Sequence, residues 1–216
     1  MRSSFFILCL VAALATADGG RAETRQPAAA GLEPWTLLLD LRSALIGDSP
    51  LTVEFDQTFT PAGFSAGDTE SGSLAISLPN CLRWDYYDPF PRSFLLCREL
   101  AYSWNPGEAS GRRYRIADDE RHGLDLLRLD VDTLRLRYSA EIESHEDGFS
   151  VFLQPLDDTT DIRHASLTVA PGGDRLLAIT YEDVEGNTTS FALRDYTPST
   201  SSDLFAPPID VEWIEN

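Results

Sequence analysis

The sequence predicts an α+β fold in which a highly curved antiparallel sheet, or incomplete β-barrel, is covered by short lid helices. Two observations lead to this prediction. An amphipathic helical segment is followed by about ten short segments in which apolar and polar residues alternate. Clusters of Gly, Pro, Asn and Asp separate these segments, as turns do between antiparallel strands. Short strands with one apolar face must bury that face, and a curled sheet beneath helices achieves this.

The N-terminal residues resemble a secretory signal peptide. Arg2 precedes an apolar run from Phe5 to Ala17, and small residues at Ala17 and Ala22 provide two candidate cleavage positions. The run of about thirteen apolar residues is too short for a bilayer span, which needs roughly twenty. A short membrane anchor is the alternative interpretation. We expect a signal peptide over residues 1–22, cleaved after Ala17 or Ala22, and export to the periplasm.

The rest of the chain is predicted to be one acidic domain. We expect a flexible N-terminus over residues 23–32 and a single domain over residues 33–216. The full sequence has 17 Lys+Arg against 35 Asp+Glu, and its formal net charge is −18. Because nucleic acids and anionic membrane surfaces repel a protein of this charge, neither is expected as a partner.

The first predicted element is a helix that begins at Pro34. Proline is favoured in the first turn of a helix, apolar residues then recur at helical spacing, and Gly47 ends the run. The apolar face of this helix needs a surface to cover. We predict that it forms a lid over the sheet through Leu38, Leu41 and Leu45, and ordinary packing of a helix on a sheet is the alternative.

The next segments are predicted strands with one apolar face. Leu51 begins the first alternating segment, and the pattern returns at Leu74 after a loop rich in Gly and Ser. The apolar positions are expected to line a hydrophobic cavity, and ordinary core packing is the alternative for each of them. The predicted lining residues are Phe55, Phe59, Leu74, Ile76, Leu82, Trp84, Tyr86, Phe94, Leu96, Tyr102 and Trp104.

A hairpin in this region brings two cysteines together. Its turn is predicted near Asp88–Pro91, and a register that places Tyr86 opposite Arg92 also places Cys81 opposite Cys97. Directly opposed residues are within disulfide reach, and an exported protein meets an oxidising compartment. Closing this loop would stabilise the fold by about 3 kcal/mol in the chain-entropy model. A turn one residue tighter would instead send the two cysteines to opposite faces.

The second half of the chain returns to strands after a short break. Residues 118–130 interrupt the alternation, and we predict a short helix there whose Leu124 and Leu127 extend the lid. The chain ends in a last extended piece at Phe205–Val211. The resumed strands are predicted at Leu134–Ile142, Phe149–Leu153, His164–Val169, Arg175–Tyr181 and Thr188–Asp195.

The sequence contains no recognisable catalytic or metal-binding motif. His122, His145 and His164 are scattered and lack the spacing of metal ligands. No G-x-S-x-G, H-E-x-x-H or P-loop sequence occurs. We therefore expect neither enzyme activity nor a cofactor nor a metal site.

Several short motifs occur in a characteristic order over roughly residues 33–212. These motifs are Phe55-x-Gln57, Gly72-x-Leu74-x-Ile76-x-x-Pro79, Arg83-Trp84-x-Tyr86-x-x-Pro89, Trp104, Leu153-x-Pro155, Asp183-x-x-Gly186-Asn187-Thr188 and Phe205-x-Pro207-Pro208. In this order and spacing the chain resembles the periplasmic outer-membrane lipoprotein carriers of the LolA family. The resemblance implies an unclosed, curved sheet with a helical lid over an apolar cavity.

The resemblance also implies a function and a set of partners. The cavity would bind the acyl chains of lipoproteins and carry them from the inner to the outer membrane. Cargo would arrive from an inner-membrane ABC-type lipoprotein extractor and leave to an outer-membrane lipoprotein acceptor, with the carrier acting as a monomer. A LolA-like paralogue that binds or senses another lipid is the alternative.

One position departs from the family pattern. Many members have an arginine immediately before the position of Pro79, and this arginine is thought to latch the lid to the sheet through helix-end carbonyls. The present chain has Leu78 at this latch position. An apolar residue there is expected to weaken the closed, empty state and to favour retention of cargo, with Arg83 or another arginine as a possible substitute.

Overall fold

The structure is a computed structural model, and it describes residues 32–47, 49–116, 126, 128, 130–157, 160–201 and 203–215. The predicted signal peptide, nearly all of the predicted flexible N-terminus, and Leu124 and Leu127 lie outside these residues, so the expectations about them stay predictions. Among the described helices, none has the length and hydropathy that a membrane span requires.

The described residues form one sheet of twelve strands and two helices. The helices are α1 (Pro34–Leu45) and α2 (Val131–Arg137). The strands are β1 (Leu51–Thr60), β2 (Asp68–Ser77), β3 (Cys81–Asp88), β4 (Arg92–Cys97), β5 (Leu100–Trp104), β6 (Ser110–Arg115), β7 (Tyr138–His145), β8 (Gly148–Pro155), β9 (Ile162–Val169), β10 (Leu176–Asp183), β11 (Thr188–Pro198) and β12 (Glu212–Glu215).

The sheet consists of two meanders joined at their first and last strands. The spatial order is β12-β6-β5-β4-β3-β2-β1-β11-β10-β9-β8-β7, so β1 to β6 form one meander and β7 to β11 the other. All neighbours are antiparallel except β12, which runs parallel to β6. Buried side chains from both meanders and both helices form a single core, so one face of the sheet curves around it. This open, curved sheet with two short helices confirms the predicted fold class.

Helix α1 forms where the sequence predicts it. Pro34 occupies the first turn, and the helix ends at Leu45, where the backbone N–H of Ile46 donates to the carbonyl of Arg42. The buried side chains lie on one stripe, because leucines three and four positions apart share a helix face. The four buried residues are Leu37, Leu38, Leu41 and Leu45.

The prediction of a strand beginning at Leu134 is wrong. Helix α2 covers this position, and β7 begins only at Tyr138. The side chain of Asp130 accepts a hydrogen bond from the backbone N–H of Thr133, which caps the helix, and Val131 and Leu134 face the core at helical spacing. Leu136 looked like part of an alternating strand, but its side chain is 80% exposed.

The C-terminal segment also differs from the prediction. The structure has no strand over Phe205–Val211, and the last strand is β12. Residues 203–211, here called the strap, precede β12, whose first amide, that of Glu212, donates to the Ala109 carbonyl. The Arg83 guanidinium donates to the Leu204 carbonyl at 3.1 Å, so the strap crosses the sheet at β3.

The hairpin of β3 and β4 has the predicted register. Tyr86 lies opposite Arg92, and Cys81 lies opposite Cys97, as expected from a turn at Pro89–Pro91. The two cysteines form a disulfide, with their Cα atoms 4.2 Å apart. The tighter turn that would have separated them does not occur.

Candidate functional site

The candidate site is the face of the sheet that lies against α1, here called the concave face. Adjacent strands bring side chains of this face together in rows, because directly opposed residues in a sheet share a face. Val53 pairs with Leu74, and Leu74 pairs with Trp84. All three are buried in the core together with the α1 leucines. The opposite surface is called the convex face.

Most of the predicted lining residues lie on the concave face. Their apolar side chains join the same core as α1, and Phe59 lies further along β1, where it is 40% exposed. Their position agrees with the prediction, whereas ligand binding by them remains a proposal. The predicted residues found on this face are Phe55, Phe59, Leu74, Ile76, Leu82, Trp84, Tyr86, Phe94 and Leu96.

Helix α1 covers the concave face with its leucine stripe. Leu38 and Leu41 are fully buried, and Leu45 is almost so. Leu126 and Leu134, from the segment after β6, are buried in the same core. The sequence predicted that the α1 leucines face the sheet, and they are buried. Leu126 was not among the predicted lid residues, whereas Leu124 and Leu127, which were, lie outside the described residues.

Aromatic rings form a continuous cluster at the centre of the concave face. The Phe55 ring packs edge-to-face on Tyr86 at a centroid distance of 5.0 Å and on Phe191 at 5.8 Å. Tyr86 in turn packs on Phe94 at 6.0 Å. Phe191 was not among the predicted lining residues, although its alternation with Leu193 in β11 is a usable signal.

A polar cluster borders these rings. The Arg92 guanidinium donates two hydrogen bonds to the Glu70 carboxylate, at 2.6 and 2.7 Å, and lies 3.9 Å from the centroid of the Tyr86 ring. The Tyr86 hydroxyl donates to the Gln57 side-chain oxygen. Sequence reasoning missed the Glu70–Arg92 pair, because a carboxylate has no distinguishing pattern in so acidic a chain.

This cluster shifts the pKa values of its members. Hydrogen bonds from Arg92 lower the pKa of the Glu70 carboxyl, and the same bonds raise the pKa of the Arg92 guanidinium. Burial raises the pKa of the Tyr86 hydroxyl to about 12. At neutral pH the site therefore holds an ion pair beside a neutral phenol.

An open groove lies beside the polar cluster. Its volume is about 490 Å³, and its wall includes Gln57, Phe59 and Glu70. Phe90, in the turn between β3 and β4, also borders the groove and is 71% exposed. The concave face thus passes from a closed apolar interior under α1 to an open edge with both aromatic and charged groups.

The prediction that Tyr102 and Trp104 line the same cavity is wrong. The turn between β4 and β5 contains only Arg98 and Glu99, so Leu95 pairs with Tyr102 and Ser93 with Trp104. These partners lie on the convex face. The aromatic residues alternate with the correct period. In β4 the even-numbered residues lie on the concave face, but after the two-residue turn the even-numbered residues of β5 lie on the convex face.

The convex face has its own buried layer beneath the strap. The Arg83 guanidinium donates to Asp85 as well as to the strap, and the Ser93 hydroxyl donates to Asp85 at 2.6 Å. Trp104 packs against Trp213 of β12 at 5.9 Å between ring centroids. The Cys81–Cys97 disulfide lies on this face, because each cysteine is one position away from a concave residue.

No arginine occupies the latch position, and Arg83 does not replace it. Leu78 is buried in the core, whereas Arg83 lies on the convex face. A different arginine links α1 to the sheet side: Arg42 donates to the Arg128 carbonyl at 2.8 Å. Arg128 donates in turn to the Arg98 carbonyl in the β4–β5 turn, at 3.4 Å. This relay is a candidate replacement for the family latch.

Within the described ranges, no group of three or more His, Cys, Asp or Glu residues is arranged to hold a metal ion. The concave face offers apolar area, edge-on rings and a polar border. Such an arrangement can bind an apolar chain that carries a polar end.

Comparison with known proteins agrees with this picture. Residues 49–208 match the family model of LolA, the outer membrane lipoprotein carrier protein. No curated protein matches the chain. A LolA superfamily protein from Nitrosomonas europaea is 11% identical at a TM-score of 0.45, with 82% of this chain and 98% of that chain covered.

Two further solved structures have a more similar fold. An uncharacterized conserved protein from Thermus thermophilus has a TM-score of 0.55 and 9% identity, over 84% of this chain and 98% of that chain. MucB has a TM-score of 0.52 and 10% identity, over 83% of this chain and 65% of that chain. MucB also occurs in a complex with MucA from Pseudomonas aeruginosa. At such identities these structures show a shared fold.

Proposed function

The chain belongs to the LolA family, and we propose that it is a carrier that binds the acyl chains of lipoproteins on its concave face. In this proposal it shuttles them through the periplasm from the inner to the outer membrane. The observation that carries the proposal is the single apolar core that the leucine stripe of α1 shares with the aromatic residues of the concave face. A helix that covers a ligand-sized apolar surface is a suitable lid.

Physical chemistry explains why such a cover is useful. Each CH₂ group of an acyl chain exposed to water costs about 0.8 kcal/mol, so a lipid anchor does not cross an aqueous compartment unaided. A carrier must shield that area and later release it. On the concave face, the acyl chains of the cargo would take the place of the α1 leucine side chains against the sheet. One apolar contact would replace another, so the net change in free energy would be small.

Localisation and partners are part of the same proposal. The N-terminal sequence supports cleavage of a signal peptide and export to the periplasm. The partners would be acylated lipoproteins, an inner-membrane ABC-type extractor and an outer-membrane acceptor. We further propose that the protein acts as a monomer without a cofactor and is a binding protein, not an enzyme.

A second candidate function has one observation in its favour. Leu78 is buried in the core at the position where many family members have an arginine. A changed latch is consistent with a paralogue that binds or senses another lipid and does not deliver lipoproteins. The hydrogen bond from Arg42 to the Arg128 carbonyl offers another means of holding α1. If it acts as a latch, Leu78 is weaker support for the paralogue.

Native mass spectrometry of the mature protein, purified gently from a bacterial periplasm, tests both candidates. The structure supplies a matched pair of variants, because Trp84 and Trp104 are each 7% exposed but lie on opposite faces. Trp84→Ala and Trp104→Ala remove the same side chain from similarly buried positions. We expect a bound acylated species in the wild type and in folded Trp104→Ala, and strongly reduced occupancy in folded Trp84→Ala.

The mass of the bound species separates the candidates. A co-purified triacylated lipoprotein supports the lipoprotein carrier. A glycerolipid without lipoprotein supports the paralogue. A protein that stays empty even after incubation with lipoprotein and with lipid would contradict both, and the aromatic cluster would then be ordinary core.

A further inference from the structure

One row of the concave face changes from apolar to charged across the sheet. Its inner part consists of Val53, Leu74 and Trp84, which are buried. Phe94 follows on β4 and is partly buried, and Ser103 on β5 continues the row. The row therefore begins in the core that α1 shares and leads outward to the edge of the sheet.

The row ends at an arginine on β6. Ser103 pairs with Arg112, and Arg112 pairs with Ile214 of β12. Arg112 is exposed to solvent. Adjacent strands are about 4.8 Å apart, so the three steps from Trp84 to Arg112 cover roughly 14 Å along the sheet. This gradient from buried apolar side chains to a cation matches the amphipathic pattern of a lipid.

The guanidinium of Arg112 differs from those of its neighbours. Arg113 and Arg115, which project from the other face of β6, form ion pairs with Glu215 and Glu99. In the part of the chain that the structure describes, the Arg112 side chain has no ion pair, hydrogen bond or ring contact. An unpaired arginine is notable in a chain with a net charge of −18.

A groove of about 440 Å³ surrounds this arginine. Its wall includes Phe94, Ser103 and Arg112. Two other charged groups face it: Arg92, whose charge is balanced by Glu70, and Glu108, which accepts a hydrogen bond from the Asn105 side chain at 3.0 Å. With Arg92 already balanced, the free cation suits an anionic group, and the nearby Glu108 disfavours a doubly charged one.

We propose that this groove is a headgroup subsite, in which Arg112 binds the phosphodiester of a glycerophospholipid whose acyl chains follow the row toward Trp84. A phosphodiester carries a single negative charge, and guanidinium groups bind phosphate oxygens through paired N–H donors. The inference rests on the second candidate in the proposed function, the paralogue that binds another lipid, because it requires acyl chains on the concave face and the acyl anchor of a lipoprotein has no phosphodiester. It names the class of lipid that the carrier accepts.

The test measures displacement of a fluorescent acyl probe by three competitors dispersed in nonionic detergent. These are phosphatidylglycerol, diacylglycerol with the same acyl chains, and glycerophosphoglycerol, which is the same phosphodiester without acyl chains. Wild-type protein is expected to bind phosphatidylglycerol about tenfold more tightly than diacylglycerol. Arg112→Gln should abolish this preference and leave diacylglycerol binding unchanged. Arg115→Gln is the matched control, because it removes the same charge from the same strand on the other face, and it should keep the preference.

The remaining outcomes separate the two proposals. Equal binding of both lipids by wild type and Arg112→Gln would overturn the headgroup subsite and leave the acyl carrier intact. Equally tight binding of glycerophosphoglycerol and phosphatidylglycerol would overturn the lipid as the source of the phosphodiester. Failure of the acyl probe and both lipids to bind wild-type protein would overturn the proposed function and the subsite together.

Discussion

Trp84 and Trp104 lie on opposite faces of one sheet and are equally buried, but different structures cover them. Trp84 lies on the concave face with the aromatic cluster and α1. Trp104 lies on the convex face, where Arg83 is tied to the strap and the Cys81–Cys97 disulfide joins β3 to β4. The strap is fastened to β3 by the hydrogen bond from Arg83 and crosses the sheet near this disulfide-linked hairpin, whereas α1 is held mainly by apolar contact.

This difference in contacts indicates which of the two covers, α1 or the strap, can move. Apolar contacts are non-directional, so a helix held by them can be replaced by another apolar surface at little net cost. Movement of the strap would instead take the Leu204 carbonyl away from the half-buried Arg83 guanidinium, and a charged donor that loses its acceptor is unfavourable. We therefore expect α1 to be the exchangeable cover and the strap to be a permanent one.

The largest expected effect comes from removing the disulfide. The double variant Cys81→Ala/Cys97→Ala opens a loop closed over a sequence separation of 16 residues. In the chain-entropy model this lowers the free energy of unfolding by about 3 kcal/mol, which denaturant titration would measure. Acyl binding per folded molecule should be unchanged, because both cysteines lie on the convex face. Loss of acyl binding in the folded double variant would contradict the claim that acyl binding depends on the concave face alone.

A second effect of similar size concerns alkaline pH and the concave face. Burial raises the pKa of Tyr86 from an ordinary value near 10 to about 12. The unfolded chain therefore releases this proton first as pH rises, and the stabilisation present below pH 10 is lost between about pH 10 and 12. The loss amounts to about 3 kcal/mol at most.

Tyr86→Phe should make the free energy of unfolding less dependent on pH in that range. Some dependence should remain, because burial also raises the pKa of Tyr196. The measurement is denaturant titration at several alkaline pH values. Identical pH profiles for the variant and the wild type would mean that Tyr86 is not buried in the way the concave face requires.

A smaller effect is expected at the strap. Arg83→Gln removes the charge that pairs with Asp85 and the donor to the Leu204 carbonyl. We expect a loss of about 1–2 kcal/mol in the free energy of unfolding, with acyl binding retained. Arg83→Lys keeps the charge without the planar fork and should lose less. An acyl exchange rate that rises in Arg83→Gln would show that the strap also takes part in opening.

The variant with the smallest expected loss of stability should show the clearest change in the rate at which bound acyl chains are transferred. Arg42→Gln removes the hydrogen bond from α1 to the Arg128 carbonyl and should cost less than about 1 kcal/mol. Transfer of a fluorescent acyl probe to acceptor vesicles should nevertheless accelerate, because the lid is less firmly held. The control is Arg163→Gln, which breaks an exposed pair with Glu182 far along the sequence from the lid. Equal transfer rates in the two variants would exclude the relay as a latch.

The sequence was a good guide to the elements and a weaker guide to their faces. Proline at position 34 and a repeating leucine stripe determine α1, and alternation determines β1 to β4, because each signal lies within one element. The positions of Tyr102 and Trp104 depend instead on how many residues the turn at Arg98 contains. Alternation within β5 alone does not determine whether its even-numbered or its odd-numbered residues lie on the concave face.

Other misses have the same origin in nonlocal structure. Leu134 alternates with its neighbours as a strand residue would, whereas the cap that Asp130 gives to α2 is seen only in the structure. The strap could not be predicted, because its hydrogen bond with Arg83 joins residues 121 positions apart. The unpaired Arg112 is likewise visible only when the rest of the chain has been placed around it.

Hydrogen exchange of the backbone amides, compared between the empty protein and the protein loaded with an acylated lipid, distinguishes a mobile α1 from a mobile strap. We predict that loading changes the protection of the α1 amides from Leu37 to Leu45. The amide of Glu212, which bonds the Ala109 carbonyl beyond the end of the strap, should keep its protection. Unchanged α1 amides together with altered protection at the strap would contradict the account, since the convex cover would then be the one that moves.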